Sequence, residues 1–225
     1  MSLFESELGN GRQWSRVGDG YEVTKKPRAL DRSTFPMIPF AAMEAIPQGG
    51  SYLPTFTMKA PTSIASGTYF ELGDLLVAKI TPSFENGKQA LVYQLDTPFG
   101  YATTEVIPLR PRSDEHDPRF LFFYLLNTDV RSYVTERMEG STGRQRVPEN
   151  VLLDLPIPIF TFFEQKAIAD VLESIHRLRE LVRKKDSVLG NLSNALLHKL
   201  IVGDVGVADL DLSALEATQS DGVVA

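Results

Sequence analysis

The sequence predicts an α+β protein: a mixed α/β domain followed by one long coiled-coil helix. Three observations carry this expectation. Short apolar runs bounded by Pro and Gly recur through residues 1–160. A helix-start signal, Asp117-Pro118, interrupts them. From residue 161 onward proline disappears, and apolar residues settle into an alternating three–four spacing.

Thr24-Lys25-Lys26-Pro27-Arg28 is a basic, proline-containing loop. Residues 35–43, 69–80, 91–95 and 101–109 read as strands. Asp117 then caps a helix with Pro118 in its first position, where the missing N–H costs nothing. Phe120, Leu121, Phe123, Tyr124, Leu125 and Leu126 follow at helical density; Thr128, Val130, Tyr133, Val134 and Met138 indicate that the helix continues or restarts until Gly140 stops it. Leu155-Pro156-Ile157-Pro158 is extended, because each proline pushes its predecessor out of the α region. Thr161 and Glu164 form a capping box. Ile168, Val171, Ile175, Leu178, Val182, Leu189, Leu192 and Leu196 then mark a heptad seam, with Lys185 and Lys199 in two of its slots. A helix over residues 162–202 would be about 60 Å long. That is too long for the core of a small domain, so it requires a second long helix beside it. Residues 204–225 are acidic and rich in small residues, which predicts a flexible tail. The expected plan is a domain over 1–160, the helix over 161–203, and the tail.

The 225 residues, 43% of them hydrophobic and 9% aromatic, support a real core. The absence of cysteine excludes a disulfide scaffold, a thiolate metal site and a cysteine nucleophile. His116, His176 and His198 stand far apart without metal-ligand spacing, so no metal site is expected. No segment approaches the roughly 18 apolar residues of a membrane helix. Met1-Ser2-Leu3-Phe4-Glu5 lacks a basic region leading into an apolar run, so the chain reads as soluble and cytoplasmic. The net charge of −6 argues at first against a nucleic-acid partner. However, the tail holds five acids and no base, and the rest carries 23 bases against 24 acids. Local basic patches therefore keep DNA binding open.

Two loops and the helix can carry function. In residues 73–88 a Gly-Asp turn feeds a strand that empties into a loop with Lys79, Thr81, Ser83, Asn86 and Lys88, side chains suited to phosphate and base contacts. The same stretch also reads as an ordinary hairpin with Asn86-Gly87 as its turn. Residues 140–147, Gly-Ser-Thr-Gly-Arg-Gln-Arg-Val, form a donor-rich loop, and Arg and Gln can read guanine and adenine edges bidentately. The loop lacks the Gly-Lys-Ser/Thr ending of a P-loop, and a solvated connection is its plainer reading.

These two loops, the Leu-Pro-Ile-Pro stretch and Phe163-Glu164-Gln165-Lys166 before the long helix occur in an order that resembles the specificity subunits of type I restriction–modification systems. The resemblance covers residues 14–203. It implies a non-catalytic DNA target recognition domain over 1–160 that reads one half of a split site. It also implies a long helix that spaces two such domains and docks modification subunits. The methyl donor would bind the modification subunit, so no cofactor is implied; a restriction subunit is a further implied partner. Family members usually hold two recognition domains and two helices, whereas this chain resembles half of one. A homodimer through Ile168, Val171, Ile175, Leu178, Val182, Leu189, Leu192 and Leu196 would rebuild the whole.

Within this resemblance Thr142, Arg144, Gln145 and Arg146 are the first candidates for DNA contact. Lys79, Thr81, Ser83, Asn86 and Lys88 come second, because shared family sequence tends to hold a fold. Lys25, Lys26 and Arg28 are candidates for the phosphate backbone. Two alternatives stand beside it. One is a coiled-coil adaptor whose globular domain binds protein. The other is a recognition domain split from a DNA methyltransferase, although the chain has no methyl-donor loop, and Asn127-Thr128-Asp129-Val130 does not match the target-amine motif.

Overall fold

The computed structural model describes residues 13–49, 55–141 and 143–207. Thr142 and most of the acidic tail therefore lie outside the described residues. The chain divides into two compact units, residues 1–176 and 177–225. The boundary falls within the long helix, whose first turns lie in the same unit as the sheets.

The globular unit is built on two four-stranded sheets. The first contains β2 (Tyr21–Val23), β6 (Leu75–Ala78), β7 (Gln89–Leu91) and β9 (Val106–Pro111), in the antiparallel order β2-β9-β6-β7. The second contains β3 (Ile38–Ala41), β4 (Thr57–Lys59), β5 (Thr68–Glu71) and β8 (Phe99–Ala102), in the order β4-β3-β8-β5. Its β3–β8 pair is parallel and its other pairs are antiparallel. A two-stranded ribbon pairs β1 (Trp14–Arg16) with β10 (Pro156–Pro158). Its two prolines are tolerated because the ribbon leaves each strand an open edge.

Strand β6 shows how the layers are organised. All four of its residues are buried. Leu75 and Val77 enter the main core, while Leu76 enters a second core with Ala41, Phe70 and Val106. Strand side chains alternate between faces, and here both faces are covered, so the sequence is an unbroken apolar run. Helices α2 (Pro118–Leu126), α3 (Thr128–Thr135) and α4 (Glu149–Leu153) supply the other side of the main core through Leu121, Phe122, Val134 and Leu152. A four-residue helix, α1 (Val17–Gly20), joins β1 to β2.

Several expected elements prove to be divided. The run 69–80 is two strands, because Gly73 turns the chain at φ +88° and Asp74 N–H donates to the Glu71 carbonyl. The run 101–109 is likewise β8 and β9 with a turn between them, and of 91–95 only Leu91 lies in a strand. Of the two readings of the stretch before Gly140 the structure takes the restart: Asn127 is extended and accepts hydrogen bonds from Asp129 N and Val130 N to cap α3. The capping box forms as expected: Thr161 N donates to Glu164 at 2.8 Å, and Glu164 N donates to Thr161 Oγ1 at 3.4 Å. It opens the long helix α5 (Phe162–Val202).

Candidate nucleic-acid interface

The structure joins the two loops picked out in the sequence. Residues 145–147 lie along the continuation of β6: Thr81 N donates to the Gln145 carbonyl at 3.0 Å, and Val147 N to the Lys79 carbonyl at 2.8 Å. Arg146 also exchanges both backbone bonds with Glu139, at 2.8 and 2.9 Å. Its main chain is thus the middle of a three-segment ladder, with Ile80 on one side and Glu139 on the other. The ladder closes the loop 139–146 at its base. Gly140 makes the closure fit: its φ is +128°, and an added Cβ would come within 2.8 Å of the Arg144 carbonyl.

Arg144 is exposed on this loop, and among the described residues its guanidinium has no ion pair or side-chain hydrogen bond. Arg146 is held by Glu105, with Nε at 2.8 Å and Nη2 at 2.7 Å from the two carboxylate oxygens. Those hydrogen bonds keep the Glu105 carboxyl below its usual range. Lys79, Glu139, Gly140, Arg146, Val147, Pro148 and Glu149 line a shallow cleft of about 460 Å³. Gln145 is half-buried.

The 81–88 segment divides between structural and free groups. Phe84 is buried in the main core and anchors it. The Thr81 hydroxyl donates to Glu85 at 2.9 Å, and Lys88 Nζ donates to the Met43 carbonyl at 2.9 Å. These two side chains are committed within the protein. Ser83 is half-buried and Asn86 is exposed. Lys25, Lys26 and Arg28 are exposed after β2. Lys25 shares a cleft with Arg110, Arg112 and Glu149, and Glu149 also borders the Lys79–Arg146 cleft.

Two clusters have no counterpart in the sequence-based candidates. Asp74, 1% exposed, accepts from Glu71 N at 2.8 Å and pairs with Arg110, which also reaches Glu71. Burial pushes its carboxyl up to about 6 against these partners. Arg119 binds Asp117, Asp170 and Glu173 at 2.6, 2.7 and 2.8 Å, tying α2 to the start of α5. Each partner is distant in sequence or masked by a cap role, so no spacing announces it. Among the described residues no group of three or more His, Cys, Asp or Glu is placed to hold a metal, and no helix is long and apolar enough to cross a membrane.

The first turns of α5 present two faces. Gln165, Ala169 and His176 are buried toward the globular unit. Gln165 accepts from Asp117 N and donates to the Phe160 carbonyl. Val171 and Ile175 are 61% and 52% exposed and lie roughly 120° around the helix from that face, at about 100° per residue. Ile168, on the same expected seam, packs instead at the edge of the main core.

Residues 16–190 match the family described as the type I restriction modification DNA specificity domain. The chain belongs to this family of DNA specificity domains. Among its relatives, the type I restriction enzyme EcoAI specificity subunit of Escherichia coli is 31% identical over 163 residues, covering 72% of this chain and 27% of that protein. The EcoEI specificity subunit of the same organism is 33% identical over 170 residues, covering 75% and 28%. The crystal structure of the HsdS subunit from Thermoanaerobacter tengcongensis superposes with a TM-score of 0.63 at 21% identity, over 90% of this chain and 51% of that one. The type I S subunit from M. genitalium gives a TM-score of 0.52 at 20% identity, over 95% and 52%. At those identities the likeness is one of fold. The chain spans less than a third of the Escherichia coli relatives and about half of the solved subunits.

Proposed function

We propose that this chain is a sequence-specific DNA-binding module that acts as half of a type I specificity subunit. The globular unit reads one half-site of a bipartite duplex target. Helix α5 pairs with that of a second copy, spaces the two half-sites and docks the modification subunits. Methyl transfer belongs to those partners, so the chain itself carries no catalytic group and holds no cofactor. Arg144, the Gln145 side chain, Lys79, Ser83 and Asn86 are the proposed contacts around the joined loops. Lys25, Lys26 and Arg28 are the proposed backbone contacts.

The observation that carries this proposal is the exposed apolar seam of α5. Val171, Ile175, Leu178, Val182, Leu189, Leu192 and Leu196 are between 38% and 63% exposed, a row of apolar side chains of the kind that marks an interface. A second copy would bury the same row by two-fold symmetry. It would also fill the other half of the solved subunits' length. A globular unit that bound protein instead would show no sequence selection on DNA.

The test is light scattering of the chain, alone and with its modification subunit, followed by selection of bound duplexes from a library of variable spacers. An assembly with two copies should select an inverted repeat. Deleting residues 182–188 removes one heptad and shortens the helix by about 10 Å. At about 3.4 Å per base pair the preferred spacer should shrink by about three base pairs. An unchanged spacer in an intact complex would refute the helix as a ruler.

A further inference from the structure

We infer that Glu105 is a positioning residue for DNA readout: it holds one edge of the Arg146 guanidinium so that the other edge is presented to a guanine. This rests on the DNA-reading role proposed above and names the group that sets specificity within it.

Arg146 is fixed at both ends. Its backbone is the middle of the Ile80–Arg146–Glu139 ladder. Its side chain gives Nε–H and Nη2–H to the two oxygens of Glu105. Glu105 is itself anchored, because its carbonyl accepts from Lys79 N at 2.9 Å. A carboxylate on the Nε–Nη2 side leaves the Nη1–Nη2 end of the guanidinium unused. Among the described residues nothing occupies that end, and the side chain is 51% exposed.

Two parallel N–H donors match the paired O6 and N7 acceptors of guanine in the major groove. An arginine already held in one rotamer loses less freedom when it makes those bonds. The ion pair is also neutral as a unit. Its attraction to an anionic phosphate is largely cancelled, while its donor geometry toward an uncharged base edge remains. As a source of stability the pair contributes little, since exposed ion pairs are worth almost nothing net.

The test uses the full chain assembled with its modification subunit and a random-sequence duplex library, for the wild type, Arg146→Lys, Glu105→Gln and the double variant. The wild type should select guanine at one position. Arg146→Lys keeps the charge but loses the fork, and should lose about 5- to 150-fold discrimination at that position only. Glu105→Gln should relax the same position by a smaller factor. It should also raise affinity for unselected duplex, because a negative charge is removed. A mere loop tie would not move affinity and selectivity in opposite directions. The double variant should discriminate no worse than Arg146→Lys alone. Melting temperatures should stay close to that of the wild type. An unchanged selected motif in either Arg146→Lys or Glu105→Gln would overturn the inference. So would uniformly weaker binding with a shallower salt dependence, the mark of a phosphate contact. If the wild type selects no sequence at all, the DNA role itself falls, and this inference falls with it.

Discussion

Replacing Arg119 with Met should loosen the start of the long helix. The guanidinium meets three carboxylates, and its side chain is only 18% exposed. The three partners are not equal. Asp170 is 46% exposed and keeps Lys166 at 2.8 Å, so it loses little. Glu173, 16% exposed, loses its 2.8 Å partner with limited access to water. Asp117, 6% exposed, loses the guanidinium but still accepts from Arg119 N as the cap of α2. Breaking a fully buried pair costs about 3–5 kcal/mol, and a hydrogen bond to a charged group is worth about 1.5–3 kcal/mol. The retained cap and partial exposure place the expected loss at about 2–3 kcal/mol. For a unit of this size that corresponds to a fall in Tm of about 5–10 °C. Calorimetry would measure it, and hydrogen exchange should quicken over residues 162–176. Arg119→Lys, with a single point charge, should recover about half of the loss. A fall of less than about 2 °C with unchanged exchange would show that the tie does not hold the helix.

Leu178→Asp should abolish the proposed dimer in sedimentation, because a charge in an apolar seam is strongly unfavourable, while the globular unit melts as before. A mutant that still sediments as a dimer would place the interface elsewhere. Arg144→Ala should leave stability within about 0.5 kcal/mol, since Arg144 is exposed, but should weaken specific DNA binding by about 1–3 kcal/mol if it meets a base. An unchanged titration at fixed salt would remove it from the interface. Asp74 makes stability depend on pH. Its folded-state carboxyl lies at about 6, above the ordinary 3.8, so protonation favours the folded state. That contribution is fully present below about pH 4 and is lost as pH rises through about 6, on the order of 2–3 kcal/mol at 1.36 kcal/mol per unit. Asp74→Asn should flatten urea midpoints across this window, and an unchanged slope would refute the assignment.

The features legible in the sequence were the local ones. The Asp117 and Thr161 caps, the prolines of 155–158 and the heptad run each act within one or two turns of chain. The bounds of α5 followed from them because helix starts and periodicity are properties of adjacent residues. At Asn127 the sequence leaves continuation and restart open, because apolar residues resume at helical spacing beyond Thr128-Asp129; the extended Asn127 cap decides for a restart. The candidate site was half legible. Residues 73–88 and 140–147 stood out by composition, but their union through Thr81, Gln145, Lys79 and Val147 is a pairing across about sixty residues that no local pattern encodes. Tertiary structure also separated free donors from committed ones. The sequence offers Lys88 as a donor, whereas the fold gives one of its N–H bonds to the Met43 carbonyl, and no local pattern marks Glu105, whose partner lies 41 residues away. Composition determines which groups a surface can offer; only the register between distant strands determines which of them are already bonded when a ligand arrives.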